Sequence, residues 1–156
     1  MALLEAHPET DFEFHAVWVD VLDSDSPAAA ASAALFLDDP RVRHFHDRER
    51  RFGRLLAPRV GMPAARDLLD DWQSSVDEQD RVFTRDFLTG PATAYDWIAF
   101  FGPDARWTSE PELPAPTAAV VQMAPDTWRG IDPARFFWGP GMAAELRRLA
   151  DLHVAR

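Results

Sequence analysis

The first strong pattern in the chain is residues 12–22, FEFHAVWVDVL. Phe12, Phe14, Ala16 and Trp18 alternate with Glu13, His15, Val17 and Val19, the period-2 signature of a strand. The segment begins half-polar and ends apolar on both faces, as a centrally placed strand does. DSDSP follows, and then an alanine run. Asp25 or Ser26 is placed to cap a helix that starts on Pro27 and runs to about Leu37, where DDP (Asp38 to Pro40) stops it. Residues 41–46, RVRHFH, predict a short strand. Residues 48–60 predict a helix with Phe52, Leu55, Leu56 and Val60 on its apolar stripe; Gly61 closes it, and Pro58 threatens to end it early.

Residues 62–88 keep a helical spacing through Leu68, Leu69, Trp72, Val76, Phe83 and Phe87. They predict one long helix or two broken near 74–79, a helical insert over about 62–90. TAYDWIAFF, 93–101, is the second strong strand. GPDA, 102–105, reads as a hairpin turn with Pro103 at its second position, and RWTS as the returning strand. The proline-rich 110–116 is an extended connector. TAAVVQM, 117–123, is apolar but of ambiguous type, and 124–141 is irregular. The last helix, 142–154, presents Met142, Leu146, Leu149 and His153 on one face.

The elements run strand, helix, strand, helix, helical insert, strand, hairpin strand, helix: two parallel units, then an antiparallel pair and a helix. That order predicts an α/β thioredoxin-like fold, a mixed sheet flanked by helices with a helical insert before the third strand. The segments VWVDVLDSDS, DDPRVRHFHDRERRFGRLLA, AYDWIAFFGPDARW and PAPTAAVVQM together resemble a group of uncharacterised bacterial thioredoxin-like proteins. In these a DpRV…fwD…r.G segment precedes an A.D.Y…GpgarW strand and turn, and then a P.P…Q stretch. The resemblance spans most of the chain outside 62–90. It implies a thioredoxin-like fold and no established activity. Several such relatives have cysteines near the first strand-to-helix junction, where this chain has none.

Composition changes that picture by subtraction. The 156 residues suggest one domain, 1–156, large enough to bury a core without covalent staples. There is no cysteine, which removes thiol–disulfide chemistry, thiolate nucleophiles and Cys-ligated zinc. All 16 basic residues are arginine, so there is no Schiff-base lysine and no P-loop lysine. The net charge of −10 disfavours nucleic acid. The one arginine cluster, 41–54, is diluted by Asp47 and Glu49. No apolar run suits a membrane span, and the start carries Glu5, Glu9 and Asp11 rather than the basic region of a signal peptide. A cytoplasmic protein without membrane attachment is the expectation.

The candidate chemistry is sparse. A strand followed by D-x-D resembles the haloacid-dehalogenase-like phosphatases, with Asp23 as nucleophile and Asp25 as acid. That signature wants Thr or Val where Pro27 stands, and a later lysine or arginine for the phosphate. Helix capping accounts for DSDSP more simply. No G-x-S-x-G elbow marks a catalytic serine. HFHD is the sharpest metal candidate: His44 and His46 project from one strand face, with Asp47 next and His15 on the adjacent strand. Asp96, in an apolar strand, asks for an ion partner such as Arg41 or Arg43. Trp107, Trp128 and Trp138 lie in irregular segments where aromatics often line a pocket. Pro91 stands just before the second strong strand, where thioredoxin folds carry a cis-proline, with Pro116 as the competitor.

The sequence therefore predicts a redox-inactive thioredoxin-fold binding module without a cofactor. Its groove would lie between Asp23, Asp25, Pro91, Trp107 and Trp128, and take a protein partner, a small molecule or a second copy of the chain as a homodimer. The alternative is a divalent-metal enzyme or metal-binding protein using His44, His46 and Asp47 with His15.

Overall fold

The structure, a computed structural model, describes residues 2–22, 24–62, 92–108, 112–122, 132–137 and 139–154. The expected insert at about 62–90 lies almost wholly outside them. The chain gathers into two compact units, Met1–Phe52 with Gly139–Arg156, and Gly53–Trp138. The described residues combine α-helices with two two-stranded sheets, a mixed α/β class.

In the first unit, β1 (Phe14–Val19) and β2 (Val42–Asp47) pair in parallel. Their register runs in step from Phe14 opposite Val42 to Val19 opposite Asp47. Parallel neighbours need a crossover, supplied here by α2 (Pro27–Ala34) and a 3-10 turn, Leu35–Leu37. None of the residues of α2 is buried. The helix therefore rests on alanine's intrinsic propensity and on its cap rather than on packing. Ser26 is that cap: its Oγ accepts from Ala29 N at 3.2 Å, with Pro27 at the first helical position.

The core of this unit lies elsewhere. Leu4 of α1 (Ala2–Ala6) is buried, as are Met142, Leu149 and Ala150 of α4 (Pro140–Val154), and the two helices pack together. His7 Nε2 stands 3.1 Å from Asp151 Oδ1 beside that packing. Arg41 ties α1 down. Its guanidinium donates to the main-chain carbonyls of Leu4 and His7 while bonding both oxygens of Asp39 at 3.0 Å. These hydrogen bonds from Arg41 hold the Asp39 carboxyl below its ordinary range and raise Arg41 in turn.

The helix α3 (Arg51–Arg59) carries the chain into the second unit. Arg50, at φ 58°, makes the left-handed step before it. Pro58 does not stop the helix early, because it sits in the last turn. The end is a Schellman motif. Met62 N donates to Ala57 O at 3.0 Å and Gly61 N to Pro58 O at 3.3 Å, with Gly61 at φ 76°.

The second core gathers Leu56, Ala57, Val60, Met62, Ala94, Val120, Val121 and Phe136. Gly53 lets α3 lie against 93–94: Ala94 N donates to Gly53 O at 2.9 Å, and a Cβ there would stand 2.6 Å from Thr93 Cγ2. β3 (Trp97–Phe100) pairs antiparallel with β4 (Ala118–Val121), and Val121 bridges to Phe136.

That pairing corrects the hairpin expectation. The 102–105 turn forms, with Ala105 N donating to Gly102 O at 3.0 Å, but 106–108 is not a strand. The partner of β3 is the apolar run of ambiguous type. Its valines reach full burial, whereas Arg106 and Thr108 have nothing to bury. Among the described residues the strands form two pairs, β1 with β2 and β3 with β4. No helix among them is long and apolar enough to cross a membrane.

Candidate functional site

The junction after β1 is built by side chains that answer main-chain donors. Asp20 N still pairs with Asp47 O at 3.3 Å, continuing the ladder. Val21 N and Leu22 N both donate to Asp25 Oδ2 at 2.7 Å, so this carboxylate folds the turn back on itself. Ser26 then caps α2. Capping and turn chemistry thus account for Asp25 and Ser26, while Asp23 lies outside the described residues.

Between this turn and α2 opens a cleft of about 260 Å³. It is lined by Trp18, Val19, Asp20, Asp25, Ser26 and the alanines 29, 30 and 33. The alanine run explains the space: a helix with methyl side chains toward the strand leaves a gap that leucines would fill.

Beside the cleft, strand alternation places Trp18, His44 and His46 on one sheet face. Trp18 Nε1 donates to His44 Nδ1 at 3.3 Å, and the two rings lie within 9° of parallel. The acceptor role of Nδ1 fixes the proton of a neutral His44 on Nε2. His46 Nε2 meets Asp20 Oδ1 at 2.7 Å, with the side chains 22% and 19% exposed. Arg50 Nε donates to the main-chain carbonyl of Asp20. The loop is thereby fastened both to His46 of β2 and to Arg50 beyond its end.

The metal candidates do not converge. His15 stands opposite Arg43 in the register, and so belongs to the other sheet face from His44 and His46. There it meets Phe45 edge-on at 5.5 Å and Glu13 at 3.5 Å. Asp47 is spent on α3: Oδ1 accepts from Arg51 N at 2.8 Å and Oδ2 from Phe52 N at 2.7 Å. Among the described residues no group of three or more His, Asp and Glu is placed to hold a metal ion.

Of the expected groove residues, Asp25 and Trp107 are among those described. Pro91 and Trp128 lie outside the described residues with Asp23, and no cis peptide bond occurs in the described chain. Asp25 belongs to the first unit and Trp107 to the second, where it packs edge-on against Phe101 at 4.9 Å. The arginines proposed for Asp96 are taken by other carboxylates, Arg41 by Asp39 and Arg43 by Glu13 at 2.8 Å. Asp96 instead makes the left-handed entry to β3, at φ 57°. Partial desolvation raises its carboxyl. Burial, and then the Asp96 charge, push the neighbouring Tyr95 up to about 12.

Asp20 is the site residue that sequence reasoning passed over. The available signal was alternation: residues 16, 18 and 20 share one face, and a parallel neighbour puts 44 and 46 beside them.

No protein-family model matches the chain, no curated protein is significantly similar to it, and no solved structure matches it.

Proposed function

We propose that the chain is a redox-inactive, thioredoxin-like protein that acts by binding a small molecule in the cleft between β1 and α2. The order of its elements supports the thioredoxin-like reading: a parallel β1–α2–β2 unit, an antiparallel β3–β4 pair, and a closing helix α4. The absence of cysteine leaves no thiol for exchange chemistry at the junction where such folds carry it.

The observation that carries the reading is the cleft itself. It is an open hollow lined by Trp18, Val19 and three alanines, with Asp20, Asp25 and Ser26 as its polar groups. At about 260 Å³ it suits a compact molecule rather than a protein segment. Its polar groups are arranged for holding, not for attack: Ser26 Oγ accepts the Ala29 N–H as a cap, and the Asp25 carboxylate accepts main-chain donors.

The test is thermal denaturation of the wild-type chain and Ala30→Leu against a library of small fragments. Ligands that bind the native state raise the melting temperature by mass action. The reading expects at least one fragment to stabilise the wild type and not Ala30→Leu. Equal responses in both proteins, or none in either, would count against it.

A further inference from the structure

Resting on the cleft as the binding site, we propose that it selects small organic cations: an ammonium or guanidinium group on a compact apolar body. The lining has two chemically different ends. Trp18 and the alanines 29, 30 and 33 offer an indole and a methyl wall. Asp20 and Asp25 offer two carboxylates, and no basic side chain is among the described lining residues.

Each carboxylate has one oxygen engaged in holding the loop. Asp20 Oδ1 bonds His46 Nε2, and Asp25 Oδ2 accepts from Val21 and Leu22. The second oxygen of each is the acceptor left for a ligand. The groups bordering Asp20 are His46, which meets Oδ1, and Arg50, which donates to the main-chain carbonyl. An anion entering the cleft meets two carboxylates and no lining arginine, in a chain of net charge −10. A neutral molecule gains only the apolar wall. A cation gains charge-assisted hydrogen bonds to the carboxylates, while its apolar body keeps the indole and methyl wall.

Three probes with one skeleton separate these cases: phenethylammonium, 2-phenylethanol and phenylacetate. Affinity is measured by calorimetry, and the site is located by amide shifts in α2. The expected result is phenethylammonium binding at least about tenfold more tightly than the alcohol, with phenylacetate weakest. Asp20→Asn keeps a hydrogen-bonding side chain beside His46 and, with Asp25 left in place, should cut the advantage of the amine over the alcohol severalfold. Ala30→Leu leaves every charge in place and should abolish binding of both, with circular dichroism confirming that each variant is folded. If the alcohol shifts the α2 amides and binds as tightly as the amine, charge selection is overturned and the cleft remains the site. Undiminished discrimination in Asp20→Asn overturns it equally. If none of the three probes shifts the α2 amides, this proposal and the binding site on which it rests fall together.

Discussion

His46 Nε2 and Asp20 Oδ1 stand 2.7 Å apart, joining the ends of two parallel strands through side chains rather than through the ladder. Asp20 opens the loop that forms one wall of the cleft. The pair therefore fixes where that loop leaves the sheet. Asp20→Ala removes the partner of a mostly shielded imidazole and should cost about 1–2 kcal/mol in urea denaturation. His46→Ala should cost a similar amount. The double variant should cost clearly less than the sum, because both changes remove one interaction. Simple additivity would show that the contact contributes nothing.

The α2 cap is a sharper dependence than usual, because no side chain of the helix is buried to compensate. Ser26→Ala should cost about 1 kcal/mol and Ser26→Gly only a few tenths. Hydrogen exchange at Ala29 and Ala30 should quicken more than exchange in α4. Unchanged protection at Ala29 would mean that the 3.2 Å bond from its N–H to Ser26 Oγ is not what holds the first turn.

Gly53→Ala tests the approach of α3 to 93–94. In an open helix this change stabilises by about 1 kcal/mol. Here the new methyl would stand 2.6 Å from Thr93 Cγ2 and 2.9 Å from Ala94 O. The expected outcome is a loss of about 1–3 kcal/mol by denaturant titration, partly restored by Thr93→Ser, which removes the Cγ2 atom. A stabilised Gly53→Ala protein would contradict the packing.

Tyr95 is the only tyrosine, so its ionisation is readable in the ultraviolet without assignment. The native protein should titrate near about 12, and the urea-unfolded chain near the ordinary value of 10.0. A raised phenol favours the protonated form in the fold. Its contribution to stability is therefore complete below about 10 and lost as pH rises through about 12. A native midpoint at the unfolded value would place Tyr95 in water.

Asp39 works in the opposite direction. Arg41 holds its carboxyl below the ordinary 3.8. The contribution of the pair is present above that value and disappears as pH falls through the lower native one. Arg41→Gln should remove that acid-side loss, read as the slope of stability against pH below about 4, and should loosen α1, whose carbonyls Arg41 also holds.

What the sequence made legible was local. The alternation within 12–22, which forms a strand over Phe14–Val19, the Ser26–Pro27 start of α2, the Gly61 stop and the last helix all act within a few residues, and all appear in the structure. What it hid was pairing. Choosing 118–121 over 106–109 as the partner of β3 depends on which segment is buried, and burial depends on the rest of the unit. Register separated the histidines as well. H-x-H set two imidazoles on one face, but the in-step pairing of β1 with β2 sent His15 to the other. Asp47 looked like a ligand, and it serves the first two N–H groups of α3. Asp20 was hidden in plain alternation, because its partner lies 26 residues away.

The central claim is that the gap under the alanine face of α2 is a binding site. Its most direct measurement is a two-dimensional NMR titration of the labelled wild-type chain with small aromatic fragments, following the Trp18 indole N–H and the amides of α2. The account predicts saturable shifts at Trp18, Ala29, Ala30 and Ala33, absent in Ala30→Leu. Shifts confined to other tryptophans such as Trp107, or a cleft that stays unresponsive to every fragment, would contradict it.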